Sequence, residues 1–318
     1  MQNRKKGTHS LKILGYTFAL LLVFICVTFG YRDIPLAELK ETYAPPPSSF
    51  LTIDGLRVHY RDEGNHNEDI PIVLIHGTGS SLHTFEAWTQ RLKHKQRVLR
   101  MDLPGYGLTD PFLDGNYTIK EYSDFIKKFL DKLGVDQCIM GGNSLGGHIA
   151  WRFTLKYSEN VQKLILIDAS GYPSRAKSTP LAFKIAQIPV LKNIFTFITP
   201  KFVARQSVEN VYHDKNKVTN HLVNRYFELN LKTGNRQTFI DRLSIDNTSE
   251  VYQKIPQILQ PTLVLWGEQD GLIPVENAHR FHRDLPNDTL VILKYTGHVP
   301  MEESPSESLE AVETFLRQ

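Results

Sequence analysis

The residues best suited to chemistry in this chain are a serine, an aspartate and a histidine, each next to glycine. Ser144 lies in GGNSLGG, Asp270 in GEQDG and His298 in TGHVP. A histidine can take the proton of a serine hydroxyl while a carboxylate fixes the imidazole tautomer and stabilises the imidazolium. These residue types predict an acyl-transfer site with Ser144 as nucleophile, His298 as base and Asp270 as acid.

The serine motif has the local context that a nucleophile requires. Gly142-Asn143-Ser144-Leu145-Gly146 matches the pattern G-x-S-x-G, follows an apolar run and opens a helical pattern. A serine on a sharp strand-to-helix turn projects from strained backbone, and residues without a Cβ let the neighbouring chain come close. Taken alone, this stretch is also consistent with a glycine-rich turn before a helix that has no catalytic role.

The acid and the base follow the serine along the chain, each at the end of an apolar run. Asp270 comes directly after the apolar run PTLVLW, and His298 comes after TLVILKY. Functional groups gather at the carboxyl ends of parallel strands. Asp168, in LIDASG at the end of another run, is the competing acid.

A negative oxygen that develops on an attacked carbonyl requires preorganised N–H donors. The Leu145 N–H, at the start of the helix after the serine, is one candidate. The loop HGTGSS offers the Thr78 N–H as the second, with Gly79 as its substitute. His76 in that loop is interpreted as ordering the turn, and His148 as helix packing.

Composition argues against two other classes. The net charge is +3 over 318 residues, and no long run of like charges predicts a nucleic-acid partner. The 12 histidines show no metal-ligand spacing, so we expect no metal site. Glu303, just before Ser304-Pro305, is interpreted as helping to start the last helix. No obligate protein partner is evident.

The elements that must position these residues alternate between strands and helices. Unbroken apolar runs predict strands whose two faces are both covered, as in a parallel sheet. Helical patterns lie between several of them, so the class is α/β. A long gap before the strand at Pro261 has helical periodicity of its own and predicts an inserted helical cap at about residues 171–255. The predicted strands are 70–77, 97–105, 137–142, 161–170, 261–267 and 289–297.

The N-terminus predicts a membrane anchor. Residues 13–31 carry no charge and have about the length that spans a bilayer. Residues 1–12 are basic, which would keep them in the cytoplasm and put the rest of the chain on the extracytoplasmic side as a single-pass membrane protein. Residues 32–49, rich in proline and serine near their end, predict a linker, and 50–318 the folded domain.

The chain resembles the α/β-hydrolase superfamily over residues 50–318. The resemblance rests on five motifs: HGTG at 76–79, DLPGYG at 102–107, GGNSLGG at 141–147, WGEQD at 266–270 and GHVPMEESP at 297–305. It is similar in particular to bacterial family V lipases and to membrane-anchored monoacylglycerol lipases. The resemblance implies an eight-stranded sheet, a cap after the sixth strand, and neither metal nor organic cofactor.

The leading hypothesis is a membrane-bound serine hydrolase that cleaves carboxylic esters through an acyl-enzyme, with acylglycerols or other lipid esters as candidate substrates. A carbon–carbon bond hydrolase of the meta-cleavage-product type is one alternative, for which Arg152 is the candidate contact to a substrate carboxylate. A catalytically silent ligand receptor on the same fold is the other. Five cap aromatics either line an acyl pocket or form the cap's own core: Phe195, Phe197, Phe202, Tyr226 and Phe227.

Overall fold

The fold is built on one mixed sheet. The computed structural model describes residues 14–17, 20, 24, 27–66, 70–245 and 250–318. Its eight strands have the order β1-β2-β4-β3-β5-β6-β7-β8, antiparallel among β1, β2 and β4 and parallel elsewhere. The eight-stranded sheet of an α/β-hydrolase fold is thereby confirmed. The strands are β1 Ser48–Ile53, β2 Leu56–Glu63, β3 Ile72–Ile75, β4 Val98–Met101, β5 Cys138–Asn143, β6 Val161–Ile167, β7 Thr262–Gly267 and β8 Asp288–Leu293.

Helices follow most strands and cover both sheet faces. Short 3-10 helices lie at Leu82–Phe85, Ser158–Asn160, Lys215–Lys217 and Glu250–Gln257. The α-helices are α1 Leu36–Tyr43, α2 Glu86–Leu92, α3 Ile119–Lys132, α4 Leu145–Lys156, α5 Leu181–Ala186, α6 Pro189–Phe195, α7 Lys201–Val211, α8 Asn220–Asn230, α9 Asn235–Ser244, α10 Glu276–Asp284, α11 Pro300–Glu303 and α12 Pro305–Leu316.

Unbroken apolar strands form because each face of the sheet has its own core. Successive side chains of a strand point to opposite faces. In β3, Ile72 and Leu74 therefore join the core shared with α2 and α12, whereas Val73 and Ile75 join the core shared with α3, α4 and α10. All four positions of β3 are buried, and the strand carries no polar side chain.

The segment between β6 and β7 contains helices α5 to α9, where the sequence predicts the cap. Phe239 of α9 joins the core on the α3 and α4 side, and Val208 of α7 joins the core on the opposite face. The Thr219 side chain accepts the Leu222 N–H at 3.1 Å and so begins α8. The cap helices thus pack across the ends of the strands.

The prediction of an N-terminal transmembrane helix is wrong. Part of the segment 13–31, and all of residues 1–12, lie outside the described residues; within the described part of the chain, no helix has the length and apolarity to cross a bilayer. The predicted single-pass membrane localisation, which depended on this helix, is therefore wrong as well. The end of the apolar run packs on the cap: Gly30 forms a bridge with Ile198, and the Tyr31 N–H donates to the Phe197 carbonyl at 3.2 Å.

The stretch 32–49, for which the sequence predicts a linker, has structure of its own. It contains α1 and the first residues of β1. Leu39 and Tyr43 of α1 are buried against Leu108 and Leu229, and the Tyr43 hydroxyl donates to Glu228 at 2.8 Å. The proline-rich composition of the stretch hides two apolar residues spaced one helical turn apart, which is enough to hold a short helix on the cap.

Candidate active site

Ser144 occupies a strained corner between β5 and α4. Its φ is 57° and its ψ is −114°, a conformation that non-glycine residues rarely adopt. The glycines around it are required by close backbone approach: a Cβ on Gly142 would lie 2.3 Å from the Gly146 carbonyl, and one on Gly146 would lie 2.1 Å from the Ile75 carbonyl oxygen. The turn therefore presents the serine side chain at the end of β5.

His298 and Asp270 form a buried pair in the loops that follow β8 and β7. The imidazole Nδ1 lies 2.6 Å from Asp270 Oδ2. Asp270 Oδ1 accepts the backbone N–H groups of Leu272 at 2.8 Å and Ile273 at 3.0 Å. With both oxygens accepting, the carboxylate is fixed in orientation and favours an Nδ1–H tautomer, which leaves Nε2 free to take a proton.

Ser144 and His298 line the same cavity, whose empty volume is about 740 Å³. No hydrogen bond joins the serine hydroxyl to the imidazole within the described residues. Catalytic contacts of this kind are often long without substrate and tighten in the Michaelis complex. The structure thus brings the three predicted residues to one site while the serine–histidine contact is still open.

Of the two predicted oxyanion donors, Thr78 lines the same cavity and Leu145 directly follows the serine. A Cβ on Gly77, which precedes Thr78, would lie 3.1 Å from Ser144 Cβ, so this loop runs directly beside the serine. Leu145 is the first residue of α4, where a backbone N–H has no partner within the helix. Gly79 has a φ of 72°, and a Cβ on it would lie 3.4 Å from the Phe239 ring. Thr78 and Leu145 remain predictions as donors.

Two residues that hold the site together were missed or misread from the sequence. The Asn143 amide donates to the carbonyls of Ile167 at 3.2 Å and His298 at 3.0 Å, which ties the serine turn to the histidine loop. Glu303, interpreted from the sequence as a helix start, is buried and accepts the backbone N–H groups of Gly297 at 2.6 Å, His213 at 3.2 Å and Asp214 at 2.7 Å. A carboxylate five residues after the histidine was the available signal.

The other two histidines singled out in the sequence are buried and uncharged. His76 Nδ1 lies 2.8 Å from the Gly77 carbonyl oxygen and its Nε2 accepts the Leu103 N–H at 3.0 Å, so it orders the turn; burial lowers its pKa. His148 stacks on Trp151 with ring centroids 4.9 Å apart, and burial lowers its pKa to about 3.

Asp168, the competing acid, lies beside the pair. Burial and the Asp270 charge raise the pKa of its carboxyl well above the usual range, against the Gly267 N–H that donates to Oδ1 at 3.0 Å. Asp168, Asp270 and His298 bring their oxygen and nitrogen atoms within 4.8 Å of one another, the spacing of a metal site. His298 Nδ1 and Asp270 Oδ2 are bonded to each other, however, rather than directed at a common point.

A second serine–histidine–aspartate arrangement lies at the edge of the sheet. His59 Nδ1 is 2.7 Å from Asp102 Oδ2, and its Nε2 is 2.9 Å from Ser48 Oγ. Asp102 also accepts the N–H groups of Leu82 at 2.7 Å and Leu108 at 2.8 Å. Ser48 neither occupies a strained turn nor lines the Ser144 cavity, so this network fastens loops together, and three residue types alone do not define a site.

The cavity walls are mostly apolar. Of the five cap aromatics considered above, Tyr226 is the one that lines it; Phe197 and Phe202 are exposed, Phe195 is buried in the core, and Phe227 packs against Tyr31. Two other aromatics, Phe183 and Phe239, stand in the wall with ring centroids 5.3 Å apart.

The chain is similar to several known hydrolases. It is 29% identical over 277 residues to YugF, an uncharacterised hydrolase of Bacillus subtilis, covering 86% of this chain and 99% of that one. It is 28% identical to a 2-hydroxy-6-oxononadienedioate/2-hydroxy-6-oxononatrienedioate hydrolase of Burkholderia vietnamiensis, covering 82% of this chain and 91% of the relative. It is 26% identical to Lipase 1 of Psychrobacter immobilis, covering 84% of this chain and 83% of the lipase.

A solved structure and a family profile both match this chain over most of its length. A meta-cleavage product hydrolase from Pseudomonas fluorescens superposes with a TM-score of 0.74 at 23% identity, covering 85% of this chain and 97% of that one. Residues 70–305 match the profile of the alpha/beta hydrolase fold. That match spans more than half of the chain and every strand from β3 to β8, and the chain therefore belongs to the α/β-hydrolase fold family.

Proposed function

We propose that this hydrolase cleaves carboxylic esters through an acyl-enzyme on Ser144. The observation that carries the proposal is the cavity shared by a strained serine and by a histidine already paired, at 2.6 Å, with a buried carboxylate. In this fold family such an arrangement serves acyl transfer. The similarity to a lipase supports the same reaction class.

The reaction follows from the proton positions. His298 Nε2 takes the Ser144 hydroxyl proton as Oγ bonds to the ester carbonyl carbon, and Asp270 stabilises the imidazolium across its 2.6 Å contact. The carbonyl oxygen, now negative, is held by the N–H groups of Thr78 and Leu145. The imidazolium then protonates the leaving alcohol. Water repeats the sequence with His298 as base and releases the acid from Ser144.

The cavity favours an uncharged acyl group. Within the described part of the chain, no lysine, arginine, aspartate or glutamate side chain lines it. A buried carboxylate without a paired cation is costly. The uncharged polar lining of the cavity comes from the loop 77–80 and the serine and histidine themselves, together with the side chains of Asn143, Ser207, Tyr226 and Asn230. We expect neutral aliphatic esters to bind, with the acyl chain against Phe183 and Phe239.

The test is hydrolysis of p-nitrophenyl esters from acetate to palmitate by the full chain. The wild type should show one acyl-length optimum, and Ser144→Ala should lose about 10⁵–10⁶-fold in kcat. Ser48→Ala is the matched control, because Ser48 also contacts a His–Asp pair at 2.9 Å but lies outside the cavity. Absence of turnover with every ester in the wild type, or equal loss in the two variants, would refute the proposal.

One observation favours the carbon–carbon hydrolase as a second candidate. Its substrates carry carboxylates, as the name of the Burkholderia relative implies, and require a cation. Arg152 does not meet this need, since it lines a separate surface pocket with Lys120 and Lys254. Arg242 does not line the cavity, but it lies one helical turn after the lining residue Phe239 and is 5% exposed. Its Nε has no hydrogen-bond partner within the described residues and could turn to a substrate carboxylate.

Arg242→Met and the matched Arg152→Met separate the two candidates. If the chain cleaves dienedioate substrates, Arg242→Met should raise KM for them about 10-fold or more, since a hydrogen-bonded charge pair is lost, while Arg152→Met leaves KM unchanged. For an esterase acting on neutral substrates, neither variant should change KM selectively. Turnover of p-nitrophenyl esters without any turnover of dienedioates would eliminate this second candidate.

A further inference from the structure

Asp168 ends β6 at the point where the Asp270 and His298 loops meet. Its backbone N–H donates to the Leu265 carbonyl of β7 at 3.0 Å, which sets the ends of the two strands side by side. A Cβ on Gly267 would lie 2.0 Å from the Gly297 carbonyl oxygen, so no side chain stands between the β7 and β8 loops. Asp168 itself is fully buried with a φ of 43°, an unfavourable conformation for aspartate.

We propose that Asp168 is a second acid of this site, and this inference rests on the proposed function. Asp168 acts as a positioning residue that supports Asp270, and it takes over the orientation of His298 when Asp270 loses its charge. The three side chains bring oxygen and nitrogen atoms within 4.8 Å of one another. An Asp168 oxygen therefore stands close enough to the imidazole to stabilise its charged form through a buried medium.

The hydrogen-bond pattern gives the two carboxyl groups different protonation states. Asp270 accepts from His298, Leu272 and Ile273, which stabilises its charge. Asp168 Oδ1 accepts one N–H, from Gly267, and Oδ2 is buried with no acceptor or donor within hydrogen-bond geometry in the described chain. Two close carboxylates do not both ionise readily.

The proton therefore resides on Asp168. Burial, the Asp270 charge and the more distant Glu303 charge all raise the pKa of the Asp168 carboxyl, and only the Gly267 N–H lowers it. The groups that face it are the carboxylates of Asp270 and Glu303 and the His298 imidazole. Replacing Asp270 by asparagine removes the nearest negative charge, which lowers the pKa of Asp168 and returns a carboxylate to the imidazole.

The experiment is a double-mutant cycle in the full chain: wild type, Asp168→Asn, Asp270→Asn and both together. The direct readout is the low-field NMR signal of the His298 Nδ1–H proton, assigned with His298→Ala, which reports a hydrogen bond from the imidazole to a carboxylate such as the 2.6 Å contact to Asp270. We expect Asp270→Asn to keep part of the low-field shift, because the Asp168 carboxylate replaces that of Asp270, and the double variant to lose it.

Kinetics give the second readout. Asp270→Asn should lower kcat/KM by about 10²–10³-fold, less than the ~10⁴-fold typical when no other acid is near, and the double variant by about 10-fold more. The residual activity of Asp270→Asn should rise with pH as Asp168 ionises, and that rise should be missing in the double variant. Asp168→Asn should lose about two- to ten-fold in kcat/KM, because asparagine keeps the size of the side chain and Asp270 keeps its contact to His298, but the supporting ionisable group is removed.

Two controls keep the outcome decisive. Asp288→Asn, at the opposite end of β8, should change neither readout. If Asp168→Asn does not fold, Asp168→Gly takes its place, since glycine adopts the φ of 43° without strain. Equal chemical shifts of the His298 Nδ1–H proton in Asp270→Asn and the double variant would overturn the inference. A wild type without esterase turnover would instead refute the proposed function, and the NMR comparison would still decide the role of Asp168.

Discussion

Glu303→Gln tests whether the histidine loop is held by one buried carboxylate. Glu303 Oε2 accepts the N–H groups of Gly297 and His213, and Oε1 accepts that of Asp214. A glutamine keeps one acceptor oxygen and replaces the other with an NH₂ group. The variant can therefore retain the contacts of Oε2 but opposes the Asp214 N–H with a second donor.

The magnitude follows from those contacts. Losing a hydrogen bond to a charged group costs about 1.5–3 kcal/mol, and an unsatisfied buried N–H costs about 1–3 kcal/mol. Because the two losses overlap, we expect the free energy of unfolding to fall by about 3 kcal/mol, which lowers Tm by about 5–10 °C in a domain of this size. Gly297 precedes His298 directly, so kcat with a p-nitrophenyl ester should fall as well, by about 10-fold or more for a base displaced from its contact.

Thermal unfolding and ester hydrolysis are measured side by side, with Glu307→Gln as the control because Glu307 is exposed at the start of α12. The control should match the wild type in both assays. If Glu303→Gln also unfolds at the wild-type temperature with unchanged kcat, the histidine loop is held by other contacts and the reasoning fails.

Three further predictions concern the serine turn, the cavity wall and acid stability. Gly146→Ala should destabilise the protein by more than about 4 kcal/mol or prevent folding, since its Cβ would lie 2.1 Å from the Ile75 carbonyl oxygen, and soluble yield with chemical unfolding measures this. Phe239→Ala should shift the ester optimum to longer acyl chains, because a wall residue of the cavity is removed. Burial raises the pKa of Glu86, but the Arg100 charge and hydrogen bonds lower it to about 2. Its stabilisation is thus present above about pH 4.5 and lost as pH falls towards 2, so Glu86→Gln should flatten the fall of the urea midpoint with acid.

The positions at the strand ends were predictable because their signals are local. Gly142 and Gly146 are required because an added Cβ would lie within 3 Å of backbone atoms. This requirement is visible in the sequence as glycines two positions before and after the serine. Asp270 and His298 follow apolar runs whose parallel pairing brings their ends together. Local patterning therefore predicted that these three side chains would meet, without any knowledge of the cap.

The cap and the N-terminus could not be predicted in the same way. Helical periodicity marks apolar faces but does not tell which face turns to the cavity, so Phe239 of α9 lines it whereas Phe195 of α6 does not. The length of the uncharged run 13–31 suggested a membrane span, but the sequence did not show which part of the protein the end of the run packs against. Tyr31, at its end, contacts Phe227 with ring centroids 4.9 Å apart, a tertiary contact that no count of charges foresees.

The cap is hydrogen-bonded to the loop that carries His298, and these bonds limit how the substrate can enter. The His298 N–H donates to the Val211 carbonyl at the end of α7 at 2.8 Å, and Glu303 binds the N–H groups of His213 and Asp214 just beyond. Lifting α7 as a rigid lid would therefore pull on the histidine loop and disturb the base. We expect access that keeps the His298–Asp270 contact to come instead from side-chain movement in the cavity wall, for example of Phe239 of α9. The residues that size the pocket and those that admit the substrate are then the same, which ties acyl preference to entry.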